Sequence, residues 1–183
     1  MAGPHEFNQI FLDEVLVPRD QLLGLAGQGW EIASAGLAFE RVGVARYARA
    51  GRVIELLVEH ARATGLASDP DVRQKLAELR VGYEAARLLN YRAISLVAQG
   101  KVPTVEASIA RLHNTQLEQL AGHVALELLG LSGQLTHDAP EAPLGGIGWR
   151  QWVRNIPTTI AAGTLEVQKN IVAERGLGLP RPR

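Results

Sequence analysis

The sequence predicts an all-α protein, an antiparallel four-helix bundle preceded by one short β-strand. Three features lead to this prediction. Several long stretches repeat apolar residues at helical spacing, and the connections between them are brief and contain Gly or Pro. One segment near the N-terminus is instead rich in β-branched and aromatic residues. Helices joined by brief connections pack beside their neighbours in antiparallel order.

The predicted strand covers residues 7–17 and ends at Pro18. A strand without a partner leaves backbone N–H and C=O groups unpaired along both of its edges. We therefore expect that this segment belongs to a larger architecture or pairs with another chain.

The first predicted helix covers residues 30–64 and is amphipathic, because its apolar positions recur every three or four residues while most of its arginines fall elsewhere. The apolar stripe contains Ala33, Leu37, Val44, Tyr47, Gly51, Ile54 and Val58. Asp69 followed by Pro70 supplies a cap and a first-turn proline for a second helix. This second helix is expected to continue to Gln99 and to end at Gly100.

Thr104 is interpreted as the cap of a third helix that ends near Gly130. Residues 131–148 contain a cluster of Gly and Pro and are predicted to form a loop. A short helix over residues 149–155 is expected to end before Pro157. The last predicted helix covers residues 164–175.

Composition excludes several classes of function. The 183 residues include 19 basic and 19 acidic side chains, so the zero net charge predicts neither a nucleic-acid nor a membrane partner. The absence of cysteine excludes disulfides and thiolate sites and favours a reducing compartment. No signal peptide is recognised, and no apolar run approaches the ~20 residues of a membrane span, so a soluble cytoplasmic protein is expected. The histidines are too scattered for a metal site, and no metal is expected.

Two segments carry a resemblance to a known family. The first contains Gly27-Gln28-Gly29-Trp30 and Leu37-Ala38-Phe39-Glu40-Arg41, and the second extends from Thr159 through Gly163-Thr164 to Arg181. In this order and at this separation they resemble the acyl-CoA dehydrogenases, and the likeness covers nearly the whole chain. Such proteins have a helical domain, a central β-barrel-like domain and a C-terminal four-helix bundle. The resemblance implies that residues 1–24 are a remnant of the middle β domain with its linker, and that residues 25–183 are the C-terminal bundle.

The resemblance also implies an activity, the α,β-dehydrogenation of an acyl-CoA thioester with FAD as hydride acceptor. A carboxylate must remove the proton next to the thioester carbonyl, and burial raises the pKa of such a base toward the required range. The family places this carboxylate either just before the Gly-Thr of the last motif, where this sequence has Ala162, or on the first helix of the bundle, where Glu40 matches. The resemblance therefore implies that Glu40 is the catalytic base.

Helical spacing bears on Glu40 independently of the family. Glu40 follows Leu37 by three positions and precedes Val44 by four, so it falls within the apolar stripe. A carboxylate in such a stripe is costly unless it has a function or a partner. The pattern alone leaves a second interpretation open, in which Glu40 lies at the margin of a broad stripe and pairs with Arg41 or Arg46.

The resemblance implies cofactor contacts at the start of the last helix. Gly163 and Thr164, followed by Glu166, match the flavin-contacting turn of the family. Small residues at a helix N-terminus allow backbone N–H groups and a hydroxyl to approach a cofactor closely. The alternative interpretation is an ordinary helix start capped by Thr164, which is compatible with the same role.

Two further cofactor positions depart from the family's pattern. Arg62 takes the place of an arginine that reaches the flavin pyrophosphate of a neighbouring subunit, in a loop that is shorter here. Gly130 belongs to a glycine-rich stretch in which Glu127 and Leu131 replace a glutamine and a glycine. Glu127 adds negative charge beside a phosphate, and Leu131 removes an easy approach of the backbone.

Three functions remain open. The first is an oxidoreductase domain that acts on acyl-CoA thioesters with FAD. The second is a catalytically silent bundle subunit that oligomerises with a competent dehydrogenase and completes its flavin site. The third is a helical interaction module that shares only the fold. Either a homo-oligomer or a hetero-oligomer with a subunit that carries the missing domains is expected, because a bundle that docks on a missing domain leaves an apolar patch exposed.

Overall fold

The computed structural model describes residues 8–40 and 44–181, in which the regular secondary structure is helical and no β-strand occurs. These residues form six α-helices: α1 Gly29–Glu40, α2 Val44–Ala63, α3 Pro70–Ala98, α4 Thr104–Leu129, α5 Ile147–Thr158 and α6 Leu165–Ile171. Short 3₁₀ turns lie at Arg19–Gln21, Leu66–Ser68, Gly130–Gln134 and Pro143–Gly146, and α6 continues into a π-helical turn at Val172–Gly176. The prediction of a helical bundle is therefore confirmed.

The central helix of the bundle is α4. It packs against α2, α3, α5 and α6, while α2 also packs against α3. Many of its inward positions are small, since Ala107, Ala110, Ala121 and Ala125 are buried. The distance between packed helices depends on the side chains at their contact, so these alanines allow several neighbours to surround one helix.

The hydrophobic core lies between α2, α3 and α4. Tyr47, Ile54 and Leu57 on α2 share it with Leu79 on α3 and Leu117 on α4. Burial of one such side chain contributes about 1.5–3 kcal/mol. In the apolar stripe predicted from the sequence, three residues on α2 are buried and a fourth is partly buried, which confirms the prediction for Tyr47, Gly51, Ile54 and Val58.

The helix ends confirm one predicted cap and correct two other predictions. Asp69 Oδ1 accepts a hydrogen bond from the Asp71 amide at 2.8 Å and caps α3, with Pro70 as the first helical residue. Thr104 is not a cap, because α4 already begins at this residue and Pro103 occupies the cap position. Pro157 lies inside the last turn of α5 and does not end it. A proline near a helix end removes one backbone hydrogen bond, and the chain can still remain helical for another residue.

The long helix predicted over residues 30–64 is described in two parts, α1 and α2, and residues 41–43, including Arg41, lie outside the described residues. Most of α1 is exposed, with Trp30 83% and Leu37 46% accessible. The apolar stripe of the predicted helix is therefore buried from Tyr47 onward on α2, whereas Ala33 and Leu37 on α1 are exposed.

Residues 8–18, which cover most of the predicted strand, have no regular secondary structure. Phe11 and Leu16 in this segment are exposed. A strand needs a neighbour that pairs with its backbone, and the described residues provide none. The strand therefore stays a prediction for a larger assembly.

Candidate functional site

A tight turn between α5 and α6 carries Gly163 and Thr164. Its backbone enters the left-handed region at Ala162, with φ 57°, and again at Gly163, with φ 88°. Left-handed backbone costs about 1–3 kcal/mol for a residue other than glycine and persists only where the surroundings hold it. Thr164 then caps α6, because its Oγ1 accepts a hydrogen bond from the Val167 amide at 3.3 Å.

Two buried side chains hold the carbonyl groups of this segment. Arg111 on α4 donates from Nη2 to the carbonyl oxygens of Thr158 at 2.5 Å and Ala161 at 2.6 Å. Gln168 on α6 donates from Nε2 to the carbonyl oxygens of Ala162 at 3.2 Å and Gly163 at 3.4 Å. Four carbonyl groups between the end of α5 and the Gly163–Thr164 turn are thus bound by side chains from two other places in the chain.

Gly163 cannot be replaced without a conflict inside this turn. A Cβ atom at this position would lie 2.5 Å from Nε2 of Gln168, and the φ of 88° is itself unfavourable for a side chain. The turn therefore favours glycine at this position.

Arg111 and Glu118 form a buried charged layer on one face of α4, with 1% and 2% of their surface exposed. Burial lowers the pKa of Arg111 to about 10; the positive charge of Arg46 acts in the same direction, whereas Glu118 and Glu40 oppose it. Burial raises the pKa of Glu118, against the lowering effects of Arg49 and the other nearby arginines. Arg49 Nη2 lies 3.8 Å from Glu118 Oε1.

This charged layer retains polar atoms that have no partner. Within residues 8–40 and 44–181, the buried atoms without a hydrogen bond are Nε and Nη1 of Arg111, Oγ1 of Thr115, Oε2 of Glu118 and Oε1 of Gln168. The three residues on α4 are spaced by four and three positions and share one helix face. Unsatisfied buried polar atoms are uncommon in proteins and mark a place where water, an ion or further protein groups are needed.

Glu40 is the last residue of α1 and is exposed in this chain. It lies near enough to Arg111 for its charge to raise the pKa of that guanidinium. Arg111 therefore binds the Thr158 and Ala161 carbonyls, and the charge of Glu40 acts on it electrostatically. The desolvation expected of a catalytic base is not provided by the described residues, because most of α1 is uncovered.

Glu166 is the second residue of α6 and is exposed. Hydrogen bonds from its own backbone N–H and from the Thr164 hydroxyl lower the pKa of its carboxyl. A carboxylate in the first turn of a helix is also stabilised by the positive end of the helix dipole. Glu166 therefore supports the start of α6 and remains accessible beside the turn.

Gly130 follows the C-terminal end of α4, whereas Arg111 lies in the N-terminal half of this helix. Gly130 lines an open groove of about 760 Å³. The other lining residues are Leu126, Glu127, Leu131, Gln134, Trp149 and Trp152. Gly130 has φ 57° and ψ −144°, a combination that favours glycine. The charge of Glu127 is balanced, since its Oε2 lies 2.6 Å from Nζ of Lys75.

Arg62 lies in the last turn of α2 and is exposed. It stands beside the 3₁₀ turn that leads to α3, so the structure does not bring it together with Gly163 and Thr164 in one cluster. Among the described residues, no three His, Asp or Glu side chains are grouped as metal ligands. None of the described helices combines the length and the apolarity that a membrane crossing requires.

The fold and the candidate site together define a class of protein. It is a helical bundle domain in which a glycine–threonine turn precedes the last helix, and buried side chains bind the carbonyl groups of this turn. A family model described as "Acyl-CoA dehydrogenase, C-terminal domain" matches residues 27–177. This chain belongs to the acyl-CoA dehydrogenase family.

Similar proteins agree with this assignment. Acyl-CoA dehydrogenase IpdE1 of Mycobacterium tuberculosis is 31% identical over 188 residues, which cover 99% of this chain and 46% of that protein. The structure titled "Tcur3481-Tcur3483 steroid ACAD G363A variant" is 31% identical, with a TM-score of 0.82, covering 91% of this chain and 44% of its own. The ChsE4-ChsE5 complex from Mycobacterium tuberculosis is 29% identical, with a TM-score of 0.76, covering 84% of this chain and 42% of its own. The chain thus spans less than half the length of these relatives.

Sequence reasoning missed the buried charged layer of Arg111 and Glu118 and the buried Thr115 that lies between them on α4. A signal was present, because polar residues at positions 111, 115 and 118 recur at helical spacing and share one face of α4. The carbonyl groups that Arg111 binds lie 47 and 50 residues further along the chain. That pairing has no signature in local sequence.

Proposed function

We propose that this chain is the C-terminal part of an FAD-dependent acyl-CoA dehydrogenase that introduces an α,β double bond into an acyl-CoA thioester, with Glu40 as the catalytic base. The observation that carries the proposal is the position of Arg111. Its guanidinium binds two carbonyl groups of the segment that leads to Gly163 and Thr164, and it also senses the charge of Glu40. One buried residue thus binds the segment of the proposed flavin turn and interacts electrostatically with the proposed base.

The Glu40 carboxylate accepts the proton from the carbon next to the thioester carbonyl. A carboxylate needs desolvation to become an effective base near neutral pH. Because Glu40 is exposed here, that desolvation is expected from the bound acyl chain and from protein outside this sequence. FAD, when bound, would supply the acceptor for the hydride that leaves the neighbouring carbon.

The proposed flavin residues are chemically suitable for the cofactor. Gly163 keeps the turn free of a side chain, and the Thr164 hydroxyl and the Glu166 carboxylate lie at the accessible start of α6. Gly130 lines an open groove that is bordered by two tryptophans. Lys75 balances Glu127, so the repulsion of a phosphate expected from the sequence is reduced. We assign Arg62, which is exposed, to the flavin pyrophosphate of a neighbouring subunit.

A second candidate is a catalytically silent bundle subunit that completes the flavin site of a competent partner. The exposure of Glu40 favours this candidate, because an unshielded carboxylate is a weak base. Two similar structures have titles that name two different components each. Both candidates require a homo-oligomer or a hetero-oligomer with the missing domains, and both treat residues 1–24 as the remnant of the middle β domain and residues 25–183 as the bundle.

The visible absorbance of the purified assembly tests both candidates together. Flavin peaks are expected, whereas a colourless assembly that does not take up added FAD contradicts both and favours a helical interaction module.

The variant Glu40→Gln separates the two candidates. In the assembled dehydrogenase, the rate of flavin bleaching by acyl-CoA is expected to fall by roughly 10²–10⁴-fold, the usual contribution of a general base. Glu31→Gln changes an exposed carboxylate on the same helix and is expected to leave the rate unchanged. Unchanged bleaching in Glu40→Gln would favour the silent subunit.

A further inference from the structure

Arg111 is almost completely buried, yet its only hydrogen bonds among the described residues are to backbone carbonyl groups. We propose that Arg111 is a positioning residue that holds the end of α5 and thereby sets the geometry of the Gly163–Thr164 turn. It acts through the backbone and touches neither the flavin nor the acyl group. The inference rests on the proposed function only in assigning a cofactor to that turn.

The hydrogen bonds of Arg111 are placed where α5 needs them. Thr158 is the last residue of α5, and the final carbonyl groups of a helix have no partner inside it. The negative end of the helix dipole also favours a cation at this position. Nη2 of Arg111 binds the Thr158 and Ala161 carbonyls together, so one nitrogen fixes the distance between the helix end and the turn. A side chain from α4 thus terminates α5.

The turn beyond this point is held from its other side by Gln168. Its Nε2 binds the carbonyl groups of Ala162 and Gly163, so the carbonyls on both flanks of the turn face buried donors. Ala162 keeps a left-handed backbone with φ 57° although it has a Cβ atom. Such a conformation persists only when the surroundings determine it, and Arg111 and Gln168 are the surroundings that do so.

Burial of an arginine is energetically unfavourable, and a neutral side chain could also bind a carbonyl group. We therefore infer that the charge and the planar shape of Arg111 are needed here. A buried charge is unfavourable unless it is paired. The negative charge of Glu118, two helical turns further along the same face of α4 and nearly fully buried, partly offsets this cost, although no salt bridge joins Glu118 to Arg111 among the described residues. Nε and Nη1 of Arg111 still lack partners among the described residues. The side chain is therefore oriented by the turn more than by its counter-charge.

Hydrogen–deuterium exchange of the purified chain, read by mass spectrometry, tests the proposal without any flavin. In Arg111→Met, amide exchange in residues 159–168 is expected to rise about tenfold or more, as the loss of charge-assisted hydrogen bonds predicts. The amides of α2 and α3 are expected to keep their rates. Arg111→Lys keeps the charge but loses the planar fork, so an intermediate increase in the same peptides is expected.

Asn90→Leu is the matched control. Asn90 is fully buried, and its side chain donates to the Ala86 carbonyl and to Asn114 and makes no hydrogen bond to the turn. Its loss is expected to weaken the bundle without a selective increase in residues 159–168. If Arg111→Met does not fold, the folded Arg111→Lys protein decides the question. Exchange that rises evenly along the chain, or that stays at the wild-type rate in the turn, overturns the proposal.

FAD titration of the assembled dehydrogenase then connects the turn to its cofactor. Arg111→Lys is expected to weaken FAD binding several-fold, while Asn90→Leu keeps the wild-type affinity per folded molecule. A wild-type assembly that binds no FAD contradicts the proposed function and leaves the exchange result valid. Normal FAD affinity in a variant whose turn exchanges faster contradicts the link between this turn and the flavin.

Discussion

A Cβ atom at Gly163 would lie 2.5 Å from Nε2 of Gln168, the atom that binds the carbonyl groups of Ala162 and Gly163. The smallest substitution at Gly163 therefore displaces the side chain that holds the turn. This relationship makes the turn the most sensitive backbone feature of the candidate site.

Gly163→Ala is expected to lower the free energy of unfolding by more than the ~1–3 kcal/mol cost of a left-handed backbone, because the clash adds to it. Gly65→Ala is the matched control, since Gly65 has a similar φ of 80° and nothing within 4 Å of its Cβ position. Urea denaturation of both variants measures the difference. An equal decrease in the free energy of unfolding of both variants would show that the Gln168 side chain moves aside without an energetic cost.

The position of the base can be tested by moving the carboxylate. Ala162 already has φ 57°, so glutamate at this position requires no new backbone conformation. The double variant Glu40→Gln/Ala162→Glu is expected to recover part of the bleaching rate that Glu40→Gln loses, a loss of roughly 10²–10⁴-fold. Stopped-flow measurement of flavin reduction by acyl-CoA checks this in the assembled dehydrogenase. Flavin bleaching by the double variant before acyl-CoA is added would contradict the interpretation that the moved carboxylate acts as the base.

The pH dependence of stability is expected to contain a contribution from Glu118. Because burial raises the pKa of Glu118, the folded state binds its proton more tightly than the unfolded state. The free energy of unfolding therefore decreases as the pH rises from the ordinary pKa of a glutamate through the raised pKa of Glu118. Above the raised pKa the decrease stays constant. Glu118→Gln is expected to flatten this slope.

Urea midpoints measured across that pH range check the prediction for Glu118. Glu84→Gln makes the same change of charge at a more exposed position on α3 and serves as the control. An unchanged slope in Glu118→Gln would show that the carboxyl group is not the source of the pH dependence.

The Lys75–Glu127 ion pair is expected to influence the groove beside Gly130. Lys75→Met leaves Glu127 without its balancing charge, so FAD is expected to bind a few-fold more weakly at low salt and to recover at high salt. The double variant Lys75→Met/Glu127→Gln is expected to regain the wild-type affinity. Fluorescence titration with FAD measures all three proteins. If the affinity of Lys75→Met for FAD did not depend on salt, the nucleotide would lie outside the groove beside Gly130.

Much of the helical fold was predictable because its signals are local. Asp69 and Pro70 define the start of α3 through one side-chain hydrogen bond and one restricted φ, both encoded within a few residues. The apolar spacing of Tyr47, Ile54 and Val58 likewise identifies the inner face of α2. The start of α4 and the end of α5 were displaced by a few residues, because prolines at helix ends permit more than one boundary.

The candidate site was predictable only where a motif was contiguous. Gly163, Thr164 and Glu166 lie together at the start of α6, as their sequence order suggests. Glu40 was expected on an apolar face, yet α1 is uncovered in this chain, since burial depends on what packs against a helix and not on its own pattern alone. Its catalytic role and the strand over residues 7–17 both stay predictions that concern a larger assembly.

The sequence by itself determined the helices, the inner face of α2 and the glycine–threonine turn, because each depends on residues separated by a few positions. Only the tertiary structure decided that Arg111 binds the carbonyl groups of Thr158 and Ala161 and that Arg111 and Glu118 are both buried. These contacts join parts of the chain that approach each other only when α4, α5 and α6 have packed, so their geometry exists in the folded protein and not in any segment of it.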